Sequence, residues 1–448
     1  MHGKSLGLTR TIARFIVETK EGDIPSDIFD HAKVAFMDWI AVALAGKDDP
    51  LVEKLIRHAD LLGGNEQATI LGHGIKKTIS QAALINGAAS HALDYDDTLM
   101  IYTGHPSVTI FPSLLALAEW KGESGADFLA AYVIGFKAGT TIGACAGMDH
   151  YMSGWHATST IGHFLSAAVC SRLLGLSEEQ TVCALGIAGT QACGLKRSFG
   201  TMCKPFHAGR ASEAGLMSAL LAAEGFTGAE DILEGPDGFL EVLNGKVNEK
   251  AVNSLGKTWG IEEIAQKYHA SCHATHSPIE ASVDIVQKEK LNLKNVKAIK
   301  IHSSELALGA AGKVKPETAL EGKFSISYCV ANALLRGNTG MSAFTDEKVG
   351  DPEVKELMKK ISVELDKEAT PLGSRVEVET VAGEVYTQFT DIVKDIPDLE
   401  IKKLKIKAKF TDLCSPILGD EKTEKLMETI ILLEKIDNIQ TLIEQVRL

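Results

Sequence analysis

From the N-terminus to about residue 265, apolar residues recur at helical spacing with scarcely a break, and no other feature constrains the chain as strongly. Leu8, Ile12, Phe15 and Ile16 form one such stripe. Pro25-Ser26-Asp27 opens a second helix running to Gly46, with Val34, Met37, Ile40, Ala41 and Leu44 on its apolar face. Further helices read at about 78–93, 107–120, 126–147, 157–174, 178–193 and 209–225. Several are dense in Ala, Gly and Ser, which lets helix axes approach closely. The pattern predicts a large all-helical bundle.

After about residue 265 the texture changes. Val296 to His302 alternates like a strand, and Ser374 to Tyr386 reads as a hairpin about Ala382-Gly383, with helices between them at about 324–336 and 352–360. From about 400 the chain is helical again, over Lys403 to Phe410 and 420–447, in a tail too short to stand alone. A chain of 448 residues is also long for one core. The expected fold is therefore mainly α. A large helical domain is formed by both chain ends (1–266 and 400–448), with an inserted smaller α+β lid domain (267–399). No internal repeat is visible.

The net charge of −13 argues against nucleic acid as a partner, because phosphate binding needs a basic surface. The most apolar segments carry a charge midway, such as Lys137 within 126–148, which favours buried helices over membrane spans. Met1 to Gly7 shows no basic region leading into an apolar stretch, so a cytoplasmic location is expected. The eight cysteines are scattered without a C-x-x-C pair, giving no ligand set for an iron–sulfur cluster or a structural zinc.

Chemistry concentrates in three places. Asp94, Asp96 and Asp97 follow a small-residue helix, and His105-Pro106 comes eight to eleven residues later. Turn chemistry alone would account for the acids, and ordered oxygen ligands for a metal are not evident. A D-x-D-D string also occurs in enzymes that protonate alkenes, but those pockets are aromatic and only 6% of this chain is. Proximity to a Pro-flanked loop histidine points instead to acid–base work. His156 likewise opens a helix, with Thr158 or Ser159 as a possible cap. Lys196, Arg197, Lys204, His207 and Arg210 lie in a Gly/Ser/Pro-rich stretch between helices, among Phe199, Met202, Cys203 and Phe206. A solvated basic loop is the plain alternative; cations desolvated by those apolar neighbours would grip a carboxylate far more strongly. Lys267, His269, His273 and His276 form the third group, and if helical the three histidines would share a face. No acid accompanies them in H-E-x-x-H fashion, so carboxylate binding is preferred to zinc.

Six ordered motifs together resemble the MmgE/PrpD family. They are His91-Ala-Leu-Asp94-Tyr-Asp96-Asp97-Thr98, Gly104-His105-Pro106-Ser107, Gly154-Trp-His156-Ala-Thr, Lys204-Pro-Phe-His207-Ala-Gly209-Arg210-Ala, Lys267 with Cys272 and His276, and Lys323-Phe-Ser-Ile-Ser-Tyr328. The family includes 2-methylcitrate dehydratases, cis-aconitate decarboxylases and iminodisuccinate epimerases. The resemblance covers nearly the whole chain. It implies a homodimer with a metal-independent, cofactor-free site in the cleft between domains. It implies Asp94, His105, His156, Lys204, His276 and Tyr328 as site residues, with Lys267 beside them.

A cofactor-independent enzyme moving protons on a small di- or tricarboxylate is therefore expected. His105, oriented by Asp94, would be one proton carrier, and His156 or Tyr328 the other. Lys204, His207, Arg210, Lys267 and His276 would hold substrate carboxylates, with no metal. Elimination of water is the favoured outcome. Decarboxylation or epimerisation are the alternatives, and a helical protein that binds polycarboxylates without turnover is the non-enzyme alternative.

Overall fold

The computed structural model describes residues 7–447. Most of the N-terminal stretch that bears on a secretory signal, Met1 to Leu6, lies outside them. The described chain is mainly helical and divides into two compact units, with the segment from Leu399 onward joining the residues before Lys267, and Lys267–Asp398 forming the second.

The larger unit begins with α1 (Leu8–Glu18), α2 (Ser26–Ala45) and α3 (Pro50–Leu62). The Asp49 side chain caps α3 by accepting from Leu51 N, and Pro50 supplies the fixed φ that suits a first helical position. A short antiparallel pair follows, β1 (Ala68–Ile70) with β2 (Ile75–Lys77). It interrupts a region that the periodicity assigns to helices. Three-residue strands are too short to show an alternating pattern. Polar partners fix the pair: Asn86 accepts from Leu71 N at 3.0 Å and donates to the Thr69 carbonyl at 3.0 Å.

The bundle proper comprises α4 (Ile79–Ala92), α5 (Ser107–Lys121), α6 (Gly125–Met152), α7 (Ala157–Leu173), α8 (Glu178–Gly189) and α9 (Cys203–Ala223). Thr78 with Gln81 and Ser177 with Gln180 form capping boxes that start α4 and α8. Helix α6 is long and apolar enough to cross a membrane, and its most apolar window is wholly buried in the fold. It breaks at Gly147, whose φ of 66° is open to glycine without strain. Phe36, Trp39, Phe111, Phe128 and Tyr132 build an aromatic core, with the Phe111 and Tyr132 rings stacked 4.2 Å apart.

Small residues set the closest helix contact. A Cβ on Gly87 of α4 would lie 2.6 Å from the Gly209 Cα of α9, and one on Gly209 would lie 2.1 Å from the Leu84 carbonyl oxygen. The two backbones meet with nothing between them, and this brings the end of α4 alongside the start of α9.

In the smaller unit, α10 (His276–Lys288) leads to β3 (Val296–Ser303), then α11 (Ile326–Arg336), α12 (Pro352–Met358), β4 (Ile361–Leu365), β5 (Ser374–Thr380) and β6 (Val385–Thr390). The sheet order is β4-β3-β5-β6, with β3 parallel to β4 and antiparallel to β5. Gly383, at φ 88°, turns the β5–β6 hairpin. The chain then returns as α13 (Leu399–Leu418), α14 (Asp420–Ile431) and α15 (Gln440–Val446), α13 packing along α2.

Gly209→Val should destabilise the larger unit by about 3 kcal/mol, the upper end of overpacking costs, because backbone rather than a flexible side chain stands in the way. Denaturant unfolding measures this. A loss below about 1 kcal/mol would contradict the close approach.

Candidate active site

Helix α4 ends at Ala92, and Asp94 then adopts φ 51°, a left-handed conformation that Asp tolerates better than most residues. This turn sends the three carboxylates in different directions. Asp94 faces Lys204, with Oδ1 2.6 Å from Nζ. Asp96 is buried between two imidazoles: Oδ1 lies 2.9 Å from His91 Nδ1, and Oδ2 lies 2.8 Å from His105 Nδ1. Asp97 accepts from Ser107 Oγ at 2.5 Å and from Ser107 N at 3.3 Å. The carboxylate that orients His105 is thus Asp96, a correction to the assignment of Asp94 from the sequence.

The segment between the acids and His105 closes on itself. Leu99 and Gly104 exchange backbone hydrogen bonds of 2.8 and 3.2 Å, and Thr98 does the same with Ala265 at 2.9 Å each way. Gly104 is needed here, since a Cβ would lie 2.1 Å from the Tyr102 ring. The His105 N–H donates to Thr158 Oγ1 at 3.1 Å, which ties the loop to the first turn of α7.

The histidines form a continuous group. The His91 ring centroid is 4.6 Å from that of His105 and 6.2 Å from that of His156. His156 precedes α7, rests edge-on against Phe199, and brings its Nδ1 to 3.0 Å from His207 Nδ1. One of those two nitrogens carries the proton that the other accepts. Lys204 and His207 are not in a loop, as the Gly/Ser/Pro content of the stretch predicts. Helix α9 starts at Cys203, six residues earlier than the apolar pattern indicates, so both project from its first two turns.

Electrostatics sort these groups into acceptors and anions. Burial lowers His91 to about 4, against the opposing pull of Asp96. Burial, then His91 and Lys204, hold His156 well below the ordinary imidazole range, and burial lowers His207 as well. Burial pushes Asp96 up, but His91 and His105 together outweigh it and keep the carboxyl well below its usual range. An anionic Asp96 fixes the proton of each neighbouring ring on Nδ1, leaving Nε2 as the basic atom. His91 Nε2 is buried without a hydrogen-bond partner among the described residues. Asp96 is thus singled out from the acidic cluster that the sequence assigned to acid–base work as a group, and His91, which the sequence showed only as the first residue of a family-like motif, joins the candidate site.

The remaining candidates divide between the two units. Arg210 turns away from Lys204, pairs with Glu213 at 2.5 Å, and lines a separate hollow with His58, Leu84 and Phe206. Lys267, His276 and Tyr328 belong to the smaller unit. Residues 267–272 are not helical, so the expected shared helix face does not form. A single 3-10 turn at His273–Thr275 instead brings the His269 and His273 rings to 4.7 and 4.9 Å from His276. An acid does accompany them, since His269 Nε2 lies 3.2 Å from Glu280. Lys267 is buried, and His276 Nε2 faces the Ser271 carbonyl at 3.3 Å. The buried Tyr328 hydroxyl donates to the Ala343 carbonyl at 2.6 Å, so its proton is already engaged, and burial raises its pKa to about 12.

His91, Asp94, Asp96 and His105 also present four ligand atoms within 4.8 Å of one another, a number and spacing that could hold a metal ion. The Lys204 ammonium 2.6 Å from Asp94 opposes this, because a dication there would meet a fixed positive charge.

Asp97 supplies a pH test. Burial, with Asp38 nearby, raises it from its ordinary 3.8 to about 8. Between those values the folded chain holds a proton that the unfolded chain has lost, so this group makes stability fall as pH rises. Asp97→Asn should remove that slope and gain on the wild type from about pH 4 to about pH 8. Denaturant unfolding across the window measures it, and parallel stability curves would refute the assignment.

Two family models match in succession, the MmgE/PrpD N-terminal domain over residues 10–250 and the MmgE/PrpD C-terminal domain over 269–434. A cis-aconitate decarboxylase-like protein of Aspergillus oryzae is 29% identical, covering 97% of this chain and 96% of its own. A cis-aconitate decarboxylase of Aspergillus terreus is 28% identical over 98% of this chain and 95% of its own. A mitochondrial 2-methylcitrate dehydratase of Yarrowia lipolytica is 28% identical over 80% of this chain and 74% of its own. Ordered matches over more than half its length establish that the chain belongs to the MmgE/PrpD family.

Proposed function

We propose that the chain is a lyase of small polycarboxylic acids that works by proton transfer at the carbon beside a carboxylate, eliminating water without a metal. The observation that carries this reading is the buried Asp96 shared by His91 and His105, with the Lys204 ammonium at the same loop. A ring whose Nδ1 faces a buried carboxylate turns Nε2 outward as the atom that can accept a proton from carbon.

His105, through Nε2, takes the proton. The electron pair left on carbon spreads into the adjoining carboxylate, where Lys204 offsets the growing negative charge. The Asp94–Lys204 pair is partly exposed, so a substrate carboxylate can share the ammonium at modest cost. The electron pair then forms the C=C bond as the hydroxyl leaves, and His105 returns its proton to the departing oxygen, so that water is released and the ring is neutral again. Release of carbon dioxide is the second reading. The decarboxylase relatives that favour it match over 97–98% of this chain, against 80% for the dehydratase.

Proton NMR in heavy water with 2-methylcitrate, cis-aconitate and iminodisuccinate distinguishes the outcomes. Water loss from 2-methylcitrate is expected, with deuterium entering at carbon as the proton transfer reverses. Carbon dioxide release would select the second reading, exchange without loss would mean epimerisation, and binding without change would sink the enzyme reading. His105→Ala should lower kcat at least about 100-fold, and Asp96→Asn should cost more than Asp94→Asn. Near wild-type turnover in His105→Ala would reject the base assignment. Activity should survive exhaustive chelation; loss restored by zinc would overturn the metal-free mechanism.

A further inference from the structure

Helix α13 begins where the chain re-enters the larger unit, and its buried stripe is not wholly apolar. Lys402, Ile406, Lys409 and Leu413 follow one another on the same face and all are buried. An ammonium in such a place costs several kcal/mol unless well partnered, and an apolar residue of similar volume would stabilise the fold as well or better. What the lysines hold is therefore informative. Lys409 Nζ donates to the Tyr95 carbonyl at 2.6 Å, lies 2.6 Å from Asp38 Oδ1 of α2, and sits 3.8 Å from the centroid of the Tyr95 ring. Tyr95 is the residue between Asp94 and Asp96. Two turns earlier, Lys402 Nζ donates to the carbonyls of Glu262 and Ile264 at 2.7 and 2.9 Å. The next residue, Ala265, is the backbone partner of Thr98. One helix face thus grips the acidic loop directly at Tyr95 and indirectly at Thr98.

We propose that Lys409, seconded by Lys402, is a positioning residue for proton transfer: it fixes the backbone of the acidic loop so that Asp96 meets His91 and His105 together. Asp38 pairs with the ammonium, and the Tyr95 ring packs against it. The inference rests on the reading of Asp96 and His105 as reacting machinery. It also gives the returning C-terminal segment a task in the chemistry.

Lys409→Met and the paired Asp38→Asn/Lys409→Met, which leaves no buried charge uncompensated, test this in the full chain. Both should unfold cooperatively. Turnover should fall at least about tenfold in kcat, as expected for a displaced but intact group, with KM changed by less than about threefold. Amide exchange over residues 94–99 should rise at least about tenfold while α4 and α5 keep their protection. A merely structural role would raise exchange throughout the unit and leave kcat of the folded fraction unchanged. Lys409→Arg, which keeps the charge, should recover part of kcat, and it decides the matter if both methionine variants unfold. A folded variant with wild-type kcat and loop exchange would overturn the proposal. The exchange arm needs no substrate, so failure to find any turnover would sink the lyase reading while exchange still judged Lys409.

Discussion

A single carboxylate, buried and shared, is the constraint on which the site depends. Asp96 is almost wholly shielded from water, and a lone anion there would cost several kcal/mol. Two imidazole nitrogens within 3 Å offset that cost, and in return the carboxylate dictates where each ring carries its proton. The last turn of α4 delivers His91, the left-handed turn at Asp94 swings Asp96 inward, and the Thr98–Ala265 and Leu99–Gly104 pairings return the chain so that His105 arrives on the other side. The site is the meeting of a helix end with a loop that is closed locally at Leu99–Gly104 and pinned at long range by the Thr98–Ala265 bridge.

Around this anion the charges are separated by burial. The imidazoles deepest in the fold are held neutral, whereas the Lys204 ammonium lies against the partly exposed Asp94. Acceptors for protons and a cation for substrate thus stand side by side without neutralising each other. The −13 balance of the whole chain disfavours anions at long range, so a local cation is what a polycarboxylate would find attractive.

Much of this was legible in the sequence, and the parts that were not share a physical cause. Apolar periodicity located most helices of the bundle because each buries a broad face. It missed the start of α9, where Cys203 is exposed, Lys204 to His207 are half-buried, and a proline and a lysine sit in the first turn. That one boundary decided which cations gather at the site. On a helix, three residues advance the direction by about 300°. Lys204 and His207 therefore point close together, while Arg210 has rotated away to Glu213. Sequence spacing identified the acidic cluster but could not choose among Asp94, Asp96 and Asp97, since the choice rests on one backbone dihedral. His91 was hidden because a buried histidine in a run of alanines looks like core. Lys402 and Lys409 were hidden for the opposite reason, since lysines in a helical tail look like a solvated face.

The most direct test is nitrogen-15 NMR of the imidazoles in the wild-type protein. The account predicts that near neutral pH His91 is neutral with its proton on Nδ1, and that it stays so on acidification until its pKa of about 4 is approached. A His91 protonated on both nitrogens near neutral pH, or carrying its proton on Nε2, would contradict the shared-carboxylate arrangement and the chemistry built on it.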